Sequence, residues 1–302
     1  MKALQKIKEV SDVLEENGIE DAPAEAALLV AELLPVGKAR LYADNPELPA
    51  ALSAAVDAGA ARRLKGEPLQ YIIGHVPFHG LRINVGPGVL IPRPETELLV
   101  EETIKRVMGH GSRVMSYGEQ GSESDGLPVT HHPSPSAILD LCTGSGCIAL
   151  ALAKHFPDAE VYGVDQSEAA LVYATQNALE NGIGNVHFRW GDLFDPVRSR
   201  QFDCIVSNPP YIARSEIATL QREVKEYEPY EALDGGPDGL EFYRKILGQA
   251  PARLRENGIL VLEMGFGQAR SVEAMAVKAG LSGIETVKDY AGIERIIIGR
   301  RH

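Results

Sequence analysis

The stretch 202–212 carries the most specific chemical pattern of the chain, because an apolar run stops abruptly on Asn208-Pro209-Pro210-Tyr211. The apolar half predicts a buried strand. The two prolines donate no backbone hydrogen bond and stiffen the turn, so backbone carbonyls stay available as acceptors. An asparagine side chain and free backbone carbonyls could then accept hydrogen bonds from a ligand beside the tyrosine ring. A plain strand terminator is the alternative interpretation.

A glycine-rich turn follows the strand predicted at 137–142, where the chain reads Asp140-Leu-Cys-Thr-Gly-Ser-Gly146. Glycines there permit a tight bend and let backbone N–H groups approach a ligand. No Gly-Lys-Ser/Thr of a phosphate loop follows, and Ala149 occupies the third glycine position of a dinucleotide fingerprint. A nucleoside without a phosphate chain fits at least as well. The candidate binding residues of this loop are Cys142, Thr143, Gly144, Ser145 and Gly146.

Carboxylates also follow the next two predicted strands. Asp165 ends the strand at 160–165 and can accept hydrogen bonds from both hydroxyls of a ribose, although it could also cap the helix that begins near Ser167. Asp192 follows the strand at 186–190 and can accept from the exocyclic amine of adenine, with Leu193 packed on the ring face. A turn aspartate explains Asp192 equally well. With Asp140, carboxylates at three successive strand ends describe a pocket for adenosine.

These residues need a sheet that brings strand ends together. From residue 137 onward strands alternate with helices, which predicts a mostly parallel sheet covered on both faces. Ligands bind beyond the carboxyl ends of such strands, so Asn208 should face the same pocket as the glycine turn. The remaining predicted elements are helices at 146–156, 167–182, 240–256 and 268–280, and strands at 203–206, 259–263, 284–287 and 295–298.

The N-terminal part has a different pattern. Leu4, Ile7, Val10 and Leu14 recur at helical spacing, and two further helices are predicted between residues 21 and 64. We therefore expect a helical domain over 1–72, either a structural appendage or a substrate-recognition module. Alternating residues punctuated by glycine and proline predict a β-hairpin linker over 73–90, followed by a third region over 91–302.

Two prolines bracket Arg93 at the start of this third region, ahead of a helix with Val100, Ile104 and Val107 on one face. Such a rigid entry can hold Arg93 and Thr96 in fixed positions against another group. Between 109 and 136 the chain lacks apolar periodicity and predicts a surface loop. His131 and His132 lie there without a partner at metal-ligand spacing, so no metal site is expected.

Composition restricts the class of function. The 302 residues are 44% hydrophobic with a formal net charge of -12, which argues against broad binding to phosphate backbones. Three cysteines lie in apolar runs and no 18-residue apolar stretch occurs, so we expect a protein of the reducing cytoplasm with no membrane segment.

The motifs resemble those of known enzymes. The order Asp-Leu-x-Thr-Gly-Ser-Gly, Val-Asp, Gly-Asp and Asn-Pro-Pro-Tyr is similar to class I S-adenosylmethionine-dependent methyltransferases, in which Asn-Pro-Pro-Tyr marks transfer to a planar nitrogen. Three further segments resemble the peptide chain release factor glutamine methyltransferases (PrmC/HemK type). They are Pro68-Leu-Gln-Tyr-Ile-Ile-Gly, Ile91-Pro-Arg-Pro-Glu-Thr-Glu-Leu-Leu and Ala232-Leu-Asp-Gly-Gly-Pro-Asp-Gly-Leu-Glu-Phe-Tyr. The resemblance covers nearly the whole chain.

This resemblance implies an α/β fold: a Rossmann-like sheet, mostly parallel with the last strand antiparallel, behind a small all-helical domain and a hairpin linker. It implies S-adenosyl-L-methionine as cofactor, S-adenosyl-L-homocysteine as product and no metal. The substrate would be the Gly-Gly-Gln glutamine of class I peptide chain release factors. Asn208, Pro209 and Tyr211 would be catalytic, with Pro210 also lining the substrate site. Arg93, Thr96 and Asn208 would lie near the methionine end of the cofactor.

Two departures accompany the resemblance. The 109–136 loop is longer than is usual in these enzymes, and Cys142 stands where glycine is common.

Other functions stay open on the motifs. Amino-methyltransferases of adenine or guanine share Asn-Pro-Pro-Tyr, but the net charge and the 8 basic against 12 acidic residues of positions 1–75 disfavour nucleic acid as a partner. A glutamine methyltransferase of a ribosomal protein is disfavoured by segment 92–97. A non-catalytic adapter would have little reason to retain Asn208, Asp165 and Asp192 together.

Overall fold

The computed structural model describes residues 1–34, 37–109 and 135–302, which form two compact units. The first unit comprises Met1–Val76, Val85–Ile91 and Ala218–Pro229, and the second comprises Pro77–Asn84, Pro92–Ile217 and Tyr230–His302. The domain bounds expected from sequence, 1–72, 73–90 and 91–302, stay a prediction. Most of the expected loop at 109–136, with His131 and His132, lies outside the described residues.

The first unit is built on short helices, as its apolar spacing predicts. Val10 and Leu14 are buried on one face of the first helix, and they pack with Leu29, Val30 and Leu41 in a single apolar cluster. The third and fifth helices are too short to show a period in the sequence, so they were not predicted. The helices are α1 (Ala3–Glu16), α2 (Ala22–Leu33), α3 (Lys38–Asp44), α4 (Ala50–Leu64) and α5 (Leu69–Ile73).

A β-hairpin follows, as expected, with strands β1 (His75–Phe78) and β2 (Leu81–Asn84). Its two-residue turn has positive φ at both His79 (47°) and Gly80 (71°), which matches the right-handed twist of paired strands. After it, α6 (Pro94–Val107) begins at Pro94 itself, which was expected to precede the helix; proline is favoured at the first helical position.

The second unit contains a seven-stranded sheet. From residue 137 onward the elements in chain order are β3 (Ala137–Leu141), α7 (Cys147–His155), β4 (Glu160–Asp165), α8 (Glu168–Glu180), β5 (Val186–Trp190), β6 (Phe202–Ser207), α9 (Arg222–Tyr227), α10 (Glu241–Arg253), β7 (Leu254–Glu263), α11 (Ala269–Lys278), β8 (Ser282–Lys288) and β9 (Glu294–Arg300). All of them belong to the second unit except α9, which belongs to the first.

The strand order is β5-β4-β3-β6-β7-β9-β8, with β3 to β7 mutually parallel and β9 antiparallel to both its neighbours. The expected fold class is therefore confirmed. In the register, Leu141 lies beside Val164 and Ser207, and Ser207 lies beside Leu262. The carboxyl ends of four neighbouring strands are thus level, and the loops that follow them start at one edge of the sheet.

Segment 218–229 was not expected in the first unit. Arg63 of α4 is buried and forms ion pairs with Glu25 of α2 at 2.6 Å and with Glu223 of α9 at 2.7 Å. The hydroxyl of Tyr227 donates to the Lys65 carbonyl at 3.0 Å. A buried guanidinium shared by two carboxylates thus attaches this distant segment to the N-terminal helices.

Candidate functional site

The glycine turn after β3 has left-handed backbone at three of five residues: φ is 58° at Cys142, 54° at Gly144 and 80° at Gly146. At Gly146 an added Cβ would lie 3.0 Å from atoms of Ala174 and Phe188, so only glycine fits. At Gly144 an added Cβ would meet nothing within 4 Å. The turn therefore leaves open space over Gly144, which a ligand could occupy.

Asp140 holds this turn from beneath. It is fully buried, and its Oδ2 accepts from Thr143 Oγ1 at 2.6 Å and from the Ala149 backbone N–H at 3.2 Å. Burial raises the pKa of this carboxyl to about 7, although both hydrogen bonds act in the opposite direction. Its Oδ1 has no partner among the described residues. The sequence predicted a carboxylate at this strand end but not its bracing role.

Asp165 braces the same turn from the end of β4. Its Oδ2 accepts the Gly144 N–H at 2.8 Å, and its Oδ1 accepts the Ser167 N–H at 2.9 Å. Burial raises the pKa of Asp165, while these backbone hydrogen bonds oppose the shift. Since each carboxylate oxygen accepts more than one hydrogen bond, both retain capacity for the two hydroxyls of a ribose. The helix that follows is capped by Ser167, whose side chain accepts the Ala170 N–H at 3.2 Å, so the cap interpretation of Asp165 is wrong, and its contact with a ribose stays a prediction.

Asp192 and Leu193 follow β5 and differ in exposure. Asp192 is exposed, whereas Leu193 adopts φ 43° and is only 5% exposed within the apolar core that includes Leu141 and Tyr162. The leucine side chain is thus largely used for packing. The predicted contacts of these two residues with adenine stay a prediction.

The Asn208 turn lies at the end of β6, next to the glycine turn. The hydroxyl of Ser207 donates to the Leu141 carbonyl at 2.7 Å and ties the two strand ends together. Asn208 Nδ2 donates to Thr96 Oγ1 at 3.1 Å, so its Oδ1 is the atom left to accept from a substrate. Pro209 and Pro210 are buried, and Tyr211 is partly buried.

Glu263 is a buried carboxylate beside these residues that sequence reasoning missed. It ends β7, is 2% exposed, and accepts the Thr96 hydroxyl on Oε2 at 2.8 Å and the Tyr211 hydroxyl on Oε1 at 3.4 Å. Burial raises its pKa to about 7. Burial and the charge of Glu263 also hold the pKa of Tyr211 well above its ordinary value, so the phenol stays a donor. The available signal was a carboxylate that ends a buried strand beside the Asn208 strand.

Two of the predicted site residues come from the start of α6. Thr96 is 2% exposed and lies between Asn208 and Glu263. Arg93 precedes the helix as its N-cap, and its positive charge acts on the Tyr211 phenol. The structure therefore brings Arg93, Thr96, Asn208 and Tyr211 together.

The 232–243 segment supports the Asn208 turn from the other side. The Gly235 N–H donates to the Ile212 carbonyl at 2.8 Å, and an added Cβ at Gly235 would lie 2.8 Å from Tyr211 Cα. Gln268, in the turn after β7, donates from Nε2 to the Tyr211 carbonyl at 2.8 Å. Close packing of the Gly235 backbone against the Tyr211 backbone therefore explains why position 235 is a glycine.

Residues 1–34, 37–109 and 135–302 contain no group of three or more His, Cys, Asp or Glu side chains placed to hold a metal ion. Within the same residues, no helix is long and apolar enough to cross a membrane.

Comparison with known proteins gives matches over nearly the whole chain. Family models described as "PrmC N-terminal domain" and "Methyltransferase small domain" match residues 5–74 and 125–226. A release factor glutamine methyltransferase of Thermodesulfovibrio yellowstonii is 44% identical over 301 residues, covering 99% of this chain and 98% of that protein. One of Geobacter sulfurreducens is 43% identical over 292 residues, covering 95% and 92%.

A solved structure shares the fold. The crystal structure of a methyltransferase from Pyrococcus furiosus aligns with a TM-score of 0.51 at 21% identity, covering 74% of this chain and 89% of that one.

Proposed function

The chain belongs to the release factor glutamine methyltransferase family, and from this membership we propose that it methylates the Gly-Gly-Gln glutamine of class I peptide chain release factors on its side-chain amide nitrogen. The observation that carries the proposal is the hydrogen-bond chain from Asn208 through Thr96 to Glu263, which leaves the Asn208 oxygen available to a substrate amide.

S-adenosylmethionine, as cofactor, supplies an electrophilic methyl group carried on a sulfonium. The open space over Gly144 and the spare acceptor capacity of Asp165 fit its adenosine part. We assign the cofactor site to the backbone of 142–146, to Asp165 and to Asp192, with Leu193 packed behind it. Arg93, Thr96 and Asn208 would border its methionine end.

The substrate amide is a poor nucleophile because its nitrogen lone pair is delocalised into the carbonyl. In the proposed complex Asn208 Oδ1 accepts one N–H and the Pro209 carbonyl accepts the other, with Pro210 and Tyr211 lining the site. Such positioning supplies on the order of 7–11 kcal/mol for ideally oriented reactants. The same two acceptors stabilise positive charge that arrives on nitrogen where water does not compete. No strong base is required beforehand, because the N–H becomes acidic once nitrogen carries the methyl group.

Tyr211 supports this arrangement with its ring. Its phenol is held by Glu263 and its carbonyl by Gln268, so the ring position is fixed at both ends. If the ring face lies near the sulfonium of the cofactor, the cation–π attraction contributes roughly 0.5–2 kcal/mol.

The helical residues 1–72 are proposed to recognise the release factor, with 73–90 as linker and 91–302 as the methyltransferase domain. Each of the three cysteines is a free thiol, in line with a reducing cytoplasm as the proposed location.

One assay tests the proposed function. The protein is incubated with methyl-labelled S-adenosylmethionine and, separately, with a release factor, its Gly-Gly-Gln→Gly-Gly-Ala variant, ribosomal protein and RNA. We expect label on the release factor and none on the variant. Label only on ribosomal protein or only on RNA would refute the release-factor assignment, and absence of label on all four would refute catalysis.

A further inference from the structure

One buried carboxylate contacts Tyr211 of the Asn208 turn and Thr96 of α6, which is hydrogen-bonded to Asn208. Glu263 receives the Thr96 hydroxyl on one oxygen and the Tyr211 hydroxyl on the other, and the strand that carries it is hydrogen-bonded to the strand that ends at the turn. Its backbone carbonyl also accepts the Tyr243 hydroxyl at 3.0 Å. Glu263 is thus fixed by elements from three parts of the chain and has no direct contact with Asn208 in the hydrogen bonds described.

The chemistry of a hydroxyl makes this arrangement directional. Thr96 has a single O–H proton, and because that proton goes to Glu263, the Thr96 oxygen can only accept from Asn208. The Asn208 amide must therefore turn its Nδ2 toward Thr96 and its Oδ1 away. The flipped amide would set an oxygen against the Thr96 lone pairs and present N–H groups to a substrate that offers N–H groups itself.

We infer that Glu263 is a positioning residue for methyl transfer: by accepting both hydroxyls, it sets the orientation of the Asn208 amide and the place of the Tyr211 ring. This inference deepens the proposed function and rests on it. It assigns Glu263 no contact with substrate or with the reacting atoms.

The protonation state of Glu263 should matter to this role. An ionised carboxylate accepts on both oxygens, whereas the protonated form must donate from one of them and so opposes either Thr96 or Tyr211. The groups that act on it are Thr96 and Glu95 of α6, Tyr211, Arg295 of β9 and Tyr243 of α10. Since burial raises its pKa to about 7, the fraction in the accepting form increases as pH rises through about 7.

The test compares Glu263→Gln with Thr96→Val and with a control, Glu102→Gln. Glu102 is also a buried glutamate of the second unit, paired with Arg106, but it is not part of the site. We expect kcat for release-factor methylation to fall about 10–100-fold in Glu263→Gln and in Thr96→Val, because small misplacement of reacting groups costs up to about 100-fold. In Glu263→Gln, KM for the release factor and the Kd of S-adenosylmethionine should stay within about threefold of wild type.

Two further readouts separate positioning from a merely structural role. The double variant Glu263→Gln/Thr96→Val should lose scarcely more kcat than either single variant, since both interrupt one chain. The kcat of wild type should rise with pH through about 7, and this rise should be absent in Glu263→Gln but present in Glu102→Gln. Additive losses, or a wild-type pH limb retained in Glu263→Gln, would overturn the inference. Should Glu263→Gln fail to fold, Thr96→Val and the wild-type pH profile decide it alone.

A measurement without turnover keeps this inference separate from the proposed function. In protein labelled with ¹⁵N at asparagine, the Asn208 side-chain NH₂ signal should shift in Thr96→Val and Glu263→Gln and stay unchanged in Glu102→Gln. If wild type labels no release factor but the NH₂ signals behave in this way, the proposed substrate is wrong and the positioning of Asn208 stands. An unchanged signal in Glu263→Gln would refute the positioning itself.

Discussion

The glycine turn after β3 and the Asn208 turn after β6 start at the same edge of the sheet but are held by different means. In the glycine turn, three backbone N–H groups are bound: Thr143 donates to the Val164 carbonyl, Gly144 to Asp165 and Gly146 to the Thr143 carbonyl. In the Asn208 turn, Glu263 accepts only side-chain hydroxyls. Backbone geometry fixes the first turn, whereas side-chain identity at Thr96 and Tyr211 fixes the second.

This difference predicts separate consequences for binding and turnover. Substitution around the glycine turn should weaken cofactor binding at nearly constant kcat, while substitution around the Asn208 turn should reduce kcat at nearly constant cofactor affinity. Three changes test this separation, and a fourth tests the buried carboxylate beneath the glycine turn.

The largest effect is expected for Asn208→Ala. It removes the acceptor for one substrate N–H, and kcat should fall about 100–1,000-fold, as when one aligned hydrogen-bonding group of a reaction site is lost. The Kd of S-adenosylmethionine, measured by calorimetry, should stay within a few-fold of wild type. Wild-type kcat in this variant would refute the mechanism, and a large loss of cofactor affinity would refute the separation of the two turns.

Asp165→Ala should show the opposite behaviour. It removes the proposed acceptor for the ribose hydroxyls and the brace on the Gly144 N–H, so the Kd of the cofactor should rise about 10–100-fold. At saturating cofactor, kcat should remain near that of wild type. Equal cofactor affinity in Asp165→Ala and wild type would show that the ribose does not bind to Asp165.

Gly144→Ala tests the open space over the turn, and Gly182→Ala is its matched control. Both glycines have positive φ, 54° and 66°, and neither would bring an added Cβ within 4 Å of another atom. Each substitution should cost about 1 kcal/mol of folding stability through backbone strain. Only Gly144→Ala should also weaken cofactor binding, by about tenfold, because a methyl group would occupy ligand space. Equal affinities in the two variants would exclude a ligand over Gly144.

The smallest effect is expected for Asp140→Asn, which keeps an oxygen for Thr143 and Ala149 but cannot ionise. The pKa of Asp140 is raised to about 7, so between about pH 4 and 7 the folded wild type binds more protons than the unfolded chain. Wild-type stability therefore falls with rising pH through this group. Relative to the variant, wild type should lose about 1.4 kcal/mol of unfolding free energy from about pH 5 to pH 6. If urea titrations give the same dependence of unfolding free energy on pH for wild type and Asp140→Asn, the raised pKa of Asp140 is contradicted.

The sequence predicted the sheet and the glycine turn well because both depend on local pattern. Strand-helix alternation placed the strand ends, and glycine spacing after β3 indicated the backbone bend. Thr96 was singled out by the rigid proline entry to its helix, and the family resemblance then indicated its place near the site. Its partner Glu263 lies 167 residues away along the chain, and nothing local in the sequence specifies that pairing.

The place of segment 218–229 and the burial of Leu193 also could not be predicted from sequence, because neither depends on a local pattern. The place of 218–229 in the first unit depends on an ion pair of Arg63 with Glu223, and both residues resemble ordinary surface charges in sequence. The burial of Leu193 follows from a positive φ that the sequence Gly-Asp-Leu does not announce.

The shared Arg63 ion pair also bears on how such a protein can be divided or recombined. A fragment that ends at residue 91 would lack Glu223, leaving Arg63 one carboxylate short, and a fragment that starts at 92 would carry Glu223 and Tyr227 without their partners. One crossover between two related genes would likewise separate residues that belong to one unit. We therefore expect functional recombinants to take residues 1–91 and segment 218–229 from the same parent gene.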